Sequence, residues 1–273
     1  MRGAPWRSAF LLLLLSLSWA GSAFPSPLEV PGTGACEAVL GKLAAAFNAR
    51  HPGYAVAVPP STGSGGGIRA VMEGEAALAR VARPLEAGEA GAGLRYRAFA
   101  RDAVVFAVGR DVTVESLTWE ELAAIFSGRI KSWDEVGGPR APIRLLLREE
   151  GDSSLREIRR QVREFREISF DKGAKVLYHD REMVEMLTKY RTAIGWLTLS
   201  SLEGTGLRPL SLNGVAPTAR NVASGRYWLT SEYAFVYREE RLAGAVRAFV
   251  DFTLYGPGRR ILEDSGLAVP EGP

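Results

Sequence analysis

The sequence predicts an α/β protein, either two domains of ordinary size or one large one. Two observations carry this. Short apolar, strand-like segments alternate with amphipathic helical patterns along the chain. The length of 273 residues, with 47% hydrophobic and 24% charged residues, suits a globular chain with a sizeable core and excludes a disordered one. The 30 glycines and 15 prolines follow no period, so they mark turns rather than a repeat.

Residues 1–23 read as a cleaved secretory leader. Arg2 and Arg7 give a positive start, residues 10–15 with Leu17 give an apolar core, and small residues fill 18–20 and 21–23. The apolar run is much shorter than the ~20 residues of a spanning helix, and no later stretch is long and apolar enough to be one. The expected mature chain is periplasmic or otherwise exported. Loss of Arg2 and Arg7 takes the net charge from +3 to +1, so the basic character says little about partners. No dense Lys/Arg run with interleaved aromatics exists, which argues against nucleic acid. The lone Cys36 cannot form an internal disulfide, and with His51 and His179 it gives no metal-ligand spacing; no metal or cofactor is implied.

Residues 28–30 are strand-like, and residues 31–36 form a Gly-containing loop. The following helix places Val39, Leu40, Leu43, Ala44 and Phe47 on one face. Residues 54–58 alternate as a strand, residues 59–67 are rich in Pro, Ser, Thr and Gly, and a second short helix is expected over 68–73. Further on, Thr118 can cap a helix with Glu121 as its capping-box partner, Leu117 and Leu122 occupy staple positions, and Gly128 follows the helix end. Residues 143–147 form a third apolar strand and residues 148–154 a third polar loop. A helix then carries Leu155, Ile158, Val162, Phe165 and Ile168 at spacings of three and four.

One arrangement therefore occurs three times: strand, small-polar loop, helix start. The first N–H groups of a helix lack internal partners and sit at the positive end of its dipole, so such loops suit an anion. Capping alone also selects these residue types, and the sequence does not show that the loops converge. Enzyme motifs fail. The glycine run fits neither G-x-S-x-G nor G-x-G-x-x-G, and no P-loop lysine follows it. An exported phosphatase would need a nucleophile or metal set that is not evident; the chain does not read as an enzyme.

Several segments carry a family resemblance. Leu117-Thr118-Trp119-Glu120-Glu121-Leu122 leads into Ile125-Phe126-Ser127-Gly128-Arg129-Ile130 and Trp133-Asp134-Glu135-Val136-Gly137-Gly138. Ala193-Ile194-Gly195-Trp196, Asn213-Gly214-Val215-Ala216-Pro217-Thr218 and Asn221-Val222-Ala223-Ser224-Gly225-Arg226-Tyr227 follow in order. With them, roughly residues 32–270 resemble the phosphate-binding proteins of ABC-type phosphate uptake systems.

The resemblance implies a two-domain type II periplasmic-binding fold with a ligand cleft and two crossover strands, at 101–108 and 227–237. One domain would comprise residues 24–101 plus 225–273, the other 102–224. It implies ligand contacts at Gly34, Ala35 and Cys36 on the first loop, Ser64 and Gly65 on the second, and Arg148, Ser153 and Ser154 on the third. The implied partners are inorganic phosphate or a related oxyanion and ABC permease subunits, and the implied state is a monomer. The chain departs from the family pattern at several places, among them Ala77, where the family's A-D-I-A run has an Asp. Cys36 stands where a Ser or Thr is usual, Ala82 where a hydroxyl or carboxylate is usual, and Asp152-Ser153-Ser154 replaces S-G-T. Asp152 either caps its helix or faces the anion. These departures leave open an exported sensor or accessory protein with a weakened or retuned site.

Overall fold

The computed structural model describes residues 26–270; the leader read at 1–23 lies outside them. The first half runs β1 (Leu28–Glu29), α1 (Glu37–Arg50), β2 (Val56–Ala57), α2 (Gly63–Met72), β3 (Leu78–Val81), α3 (Ala87–Ala90) and β4 (Leu94–Val108). Next come β5 (Ser116–Leu117), α4 (Trp119–Phe126), β6 (Arg144–Arg148), α5 (Ser153–Gln161), β7 (Lys175–Leu177), α6 (Asp180–Lys189) and β8 (Ala193–Thr198). The chain ends with β9 (Arg208–Pro209), β10 (Ser211–Leu212), α7 (Ala219–Ala223), β11 (Thr230–Arg238), α8 (Gly244–Leu254) and α9 (Gly258–Asp264).

The main sheet has the order β3-β11-β4-β8-β6-β7. Its axis is β4, whose 15 residues extend about 50 Å. Leu94–Ala103 of β4 pair antiparallel with β11, and Val104–Val108 pair antiparallel with β8. The two strands expected as crossovers are thus β4 and β11, hydrogen-bonded to each other. Their register shifts between Tyr233 and Ala234, a bulge that bends the pair. The core is divided at the same place. One cluster is drawn from residues between Ala103 and Leu229. Two others combine residues up to Ala100 with residues from Tyr233 onward.

The helical face expected on α1 is the buried one, and Phe47 meets Phe249 and Phe252 of α8 edge-on at 5.3 and 5.4 Å. Thr118 and Glu121 form the reciprocal capping box. Two boundaries differ from expectation. Helix α2 starts at Gly63 rather than 68, so the glycine run forms its first turn. Helix α5 ends at Gln161, because Val162 is extended (φ −104, ψ 113) and a short 3-10 turn follows. That single extended residue keeps Phe165 on the buried side, which is why the apolar spacing continues past the helix end.

Candidate functional site

The three loops do converge. A cavity of about 470 Å³ is lined by Thr33 and Gly34 from the first loop, residues 61–66 from the second, and Arg148, Asp152 and Ser153 from the third. The second and third loops bring the first turns of α2 and α5 to this space, and the first loop brings Thr33 and Gly34 just ahead of α1.

The first loop is shaped by Gly32, at φ 140, which bridges Arg80 of β3. A Cβ at Gly32 would lie 1.8 Å from the Arg80 carbonyl oxygen. The loop then presents Thr33, whose Oγ1 accepts from the Ala35 N–H and lies 3.3 Å from Ser153 Oγ across the cavity. On the second loop, Ser64 Oγ accepts the Ala82 N–H at 3.1 Å, which leaves its own proton free to donate.

The third loop starts at Arg148, 6% exposed at the end of β6. Its Nη1 donates to Asp180, and its Nη2 reaches Asp152 Oδ2 and the Tyr178 carbonyl, both at 2.9 Å. Asp152 also caps α5, with Oδ1 accepting the Leu155 N–H at 2.9 Å. Asp180 Oδ2 is held by Ser201 Oγ at 3.0 Å and Thr198 Oγ1 at 3.4 Å. Three buried side-chain donors among the described residues have no hydrogen-bond partner: Trp196 Nε1 in the core, and Arg148 Nε and Ser154 Oγ on the third loop. Buried donors without partners are uncommon and costly, so the two on the third loop mark where an acceptor belongs.

One guanidinium therefore faces two carboxylates. Burial works against the Arg148 cation, but the charges of Asp180 and Asp152 outweigh it and hold its pKa above the usual range. Burial raises Asp152 to about 6, with Arg148 opposing and Asp180 adding. Other arginines reach the cavity from the first half. Arg83 is buried and gripped by both oxygens of Glu89 at 2.7 Å, and Arg69 also lines the wall.

Five of the eight sequence-expected contact residues line the cavity: Gly34, Ser64, Gly65, Arg148 and Ser153. Ala35, Cys36 and Ser154 are not among its lining. Cys36 is fully buried in the core against α1, and burial drives its thiol up to about 12, so it is neither an anion donor nor a reactive thiolate. The first-loop hydroxyl that lines the cavity is that of Thr33. Ala35 serves through its carbonyl, which accepts from Tyr233 Oη at 2.9 Å and Thr198 Oγ1 at 3.2 Å. Ser154 sits behind the cavity with its orphan hydroxyl. Sequence reasoning missed Thr33, Asp180 and Arg83. Thr33 is the one hydroxyl residue in its loop, which could have found it; nothing local links Asp180 to Arg148.

Beneath the cavity, the fully buried Asp102 of β4 accepts from Tyr233 Oη at 2.9 Å and from the Ser200 N–H at 3.2 Å. Burial raises its pKa to about 6, with these hydrogen bonds opposing. A carboxyl whose pKa is raised on folding holds its proton more tightly when folded. Its contribution to stability is present below about pH 4 and lost as pH rises through about 6. Stability should accordingly fall between pH 4 and 7 less steeply in Asp102→Asn than in the parent. Thermal midpoints across that range would test it; parallel curves would remove Asp102 as a source of the slope.

A two-lobed α/β chain with two crossover strands and an anion-suited cleft defines a periplasmic-binding architecture, and the chain belongs to that family: residues 20–255 match the PBP superfamily domain. It is 27% identical over 213 residues to the phosphate-binding protein PstS of Borreliella burgdorferi, covering 75% of this chain and 76% of that one. It is 27% identical over 230 residues to the phosphate-binding protein PstS of Bacillus subtilis, covering 82% and 74%. In fold it superposes with a TM-score of 0.81, at 24% identity and over 90% of this chain and all of the other, on a phosphate ABC transporter substrate-binding protein from Clostridium perfringens crystallised with phosphate.

Proposed function

We propose that this protein is an exported solute-binding protein that holds phosphate, or a closely similar oxyanion, in the cleft and delivers it to an ABC permease. The observation that carries this is the convergence of three small-polar loops on one cavity that Arg148 lines with a buried, unpartnered Nε. The names of the relatives support the same ligand. Binding rather than catalysis as the role is supported by the relatives, which are named as binding proteins. No helix among the described residues is long and apolar enough to cross a membrane.

The two domains are read as residues 24–101 plus 225–273 and residues 102–224, and the protein as a monomer. Packing supports a return boundary nearer 229, since Tyr227 and Leu229 join the core of the second lobe. The test of function is titration calorimetry with phosphate, sulfate and molybdate. Heat with phosphate is expected, and no heat with any of the three would refute the ligand reading.

Closure of the lobes leaves its own contacts. Lys42 of α1 pairs with Glu203 beyond β8, and both side chains are about half exposed. Exposed pairs contribute about 0.2–1 kcal/mol. Because this one joins the lobes, Glu203→Gln should raise the phosphate dissociation rate by roughly twofold to fivefold and leave the thermal midpoint nearly unchanged. Stopped-flow release measurements check this; an unaltered rate would mean the pair has no part in closure.

A further inference from the structure

Arg80 is a charged side chain with no exposed surface, outside the cavity lining. Its surroundings are mostly backbone. Nε donates to the Thr33 carbonyl at 2.8 Å, Nη1 to the Val30 carbonyl, and Nη2 to the Pro59 carbonyl at 2.8 Å. The carboxylate it meets is Glu37, at 3.2 Å and partly exposed. The backbone of Arg80 holds the same segment: its N–H donates to Pro31 at 2.9 Å, and its carbonyl accepts from Thr33 at 3.1 Å. Burial pulls the pKa of this guanidinium below its ordinary value, with Glu37 opposing, so the cation is kept in place against a desolvation penalty.

The consequence lies in the geometry of the peptide unit. In a trans peptide the carbonyl and the following N–H point in opposite directions. With the Thr33 carbonyl fixed on Arg80, the Gly34 N–H is turned the other way, towards the cavity that Thr33 and Gly34 line. That N–H has no hydrogen-bond partner among the described residues. The same guanidinium holds Pro59, so the first and second loops share one anchor.

Resting on the anion reading above, we propose that Arg80 is a positioning residue of the anion site: it turns the Gly34 N–H into the cleft and fixes the spacing between the first two loops. It acts from behind the loops and does not touch the ligand. A fully ordered donor set costs the anion less to bind than one that must be assembled on binding.

The test compares Arg80→Met, which fills similar volume without donors, and Arg80→Lys, which keeps the charge but cannot span three carbonyls. Folding is checked by circular dichroism and phosphate affinity by calorimetry. Arg80→Met should bind phosphate on the order of tenfold to a hundredfold more weakly, with Arg80→Lys in between. The Gly34 amide signal should shift on adding phosphate to the parent and much less in Arg80→Lys. Leu262→Ala, in α9 and outside the cavity lining, weakens the same core and should keep parental affinity. If Arg80→Met does not fold, Arg80→Lys decides alone: weakened binding with a muted Gly34 shift supports the assignment, and parental values for both overturn it. A folded Arg80→Met with parental affinity also overturns it, as does a Leu262→Ala that loses affinity equally. A parent protein that binds no phosphate would instead sink the anion reading, and this assignment with it.

Discussion

Replacing Arg148 with alanine should abolish measurable phosphate binding and also destabilise the fold at neutral pH. The binding loss follows from the site: Arg148 lines the cavity with a buried Nε that has no hydrogen-bond partner. Removing one partner of a buried charge-assisted contact costs about 2–5 kcal/mol, or roughly thirtyfold to several thousandfold in affinity. The stability loss has a separate cause. Asp152 and Asp180 both lean on this guanidinium and are both buried. Without it, two carboxylates remain in a confined space with no cation, a change on the order of 3–5 kcal/mol for a broken buried pair. Asp152, which burial already raises to about 6, can escape by taking up a proton, so Arg148→Ala should regain stability as pH falls towards 5. Thermal melts at pH 5 and 8 separate the two effects. Asp180→Asn is the informative companion. It removes one competitor for the guanidinium while keeping the Asp152 pair, so it should fold and bind phosphate at least as tightly as the parent at pH 8. Weaker binding in Asp180→Asn would show that Asp180 aims the guanidinium rather than competing with the anion, and unchanged binding in Arg148→Ala would remove Arg148 from the site.

The parts of this architecture visible in the sequence are those set by neighbours a few positions apart. The buried face of α1 follows from residues three and four apart, and the Thr118–Glu121 box from an i, i+3 relation. Arg148 and Ser64 were reached through the family resemblance, on loops whose small-polar character is itself local. What stayed hidden depends on contacts between distant segments. Whether Thr33 or Cys36 faces the cleft is decided by how Arg80, 47 positions on, holds the loop. The second carboxylate on Arg148 arrives from α6, 32 positions later, and no spacing rule connects the two. The end of α5 is not legible in the sequence, because one extended Val162 preserves the apolar pattern that a continuous helix would give.

The loop that carries Thr33 and Gly34 has a single point where one methyl group should undo it. Gly32→Ala would place a Cβ 1.8 Å from the Arg80 carbonyl oxygen and 2.8 Å from its carbon, backbone atoms that cannot rotate away. The residue also holds φ at 140, where a side chain adds strain of its own. Overpacking and backbone strain each cost about 1–3 kcal/mol, so the variant should lose on the order of 3–5 kcal/mol or push the loop off β3. Either outcome displaces Thr33 and the Gly34 N–H, and phosphate affinity should fall with stability. A matched control sits on the second loop. Gly63 also has a positive φ, of 72, but a Cβ there meets nothing within 4 Å. Gly63→Ala therefore bears only the left-handed backbone cost of about 1–2 kcal/mol, and because the N–H groups of α2 stay in place it should keep most of its affinity. Denaturant unfolding and phosphate titration on the two variants give the comparison. Equal losses would mean that loop strain in general, rather than the seat of Gly32 on Arg80, governs the site.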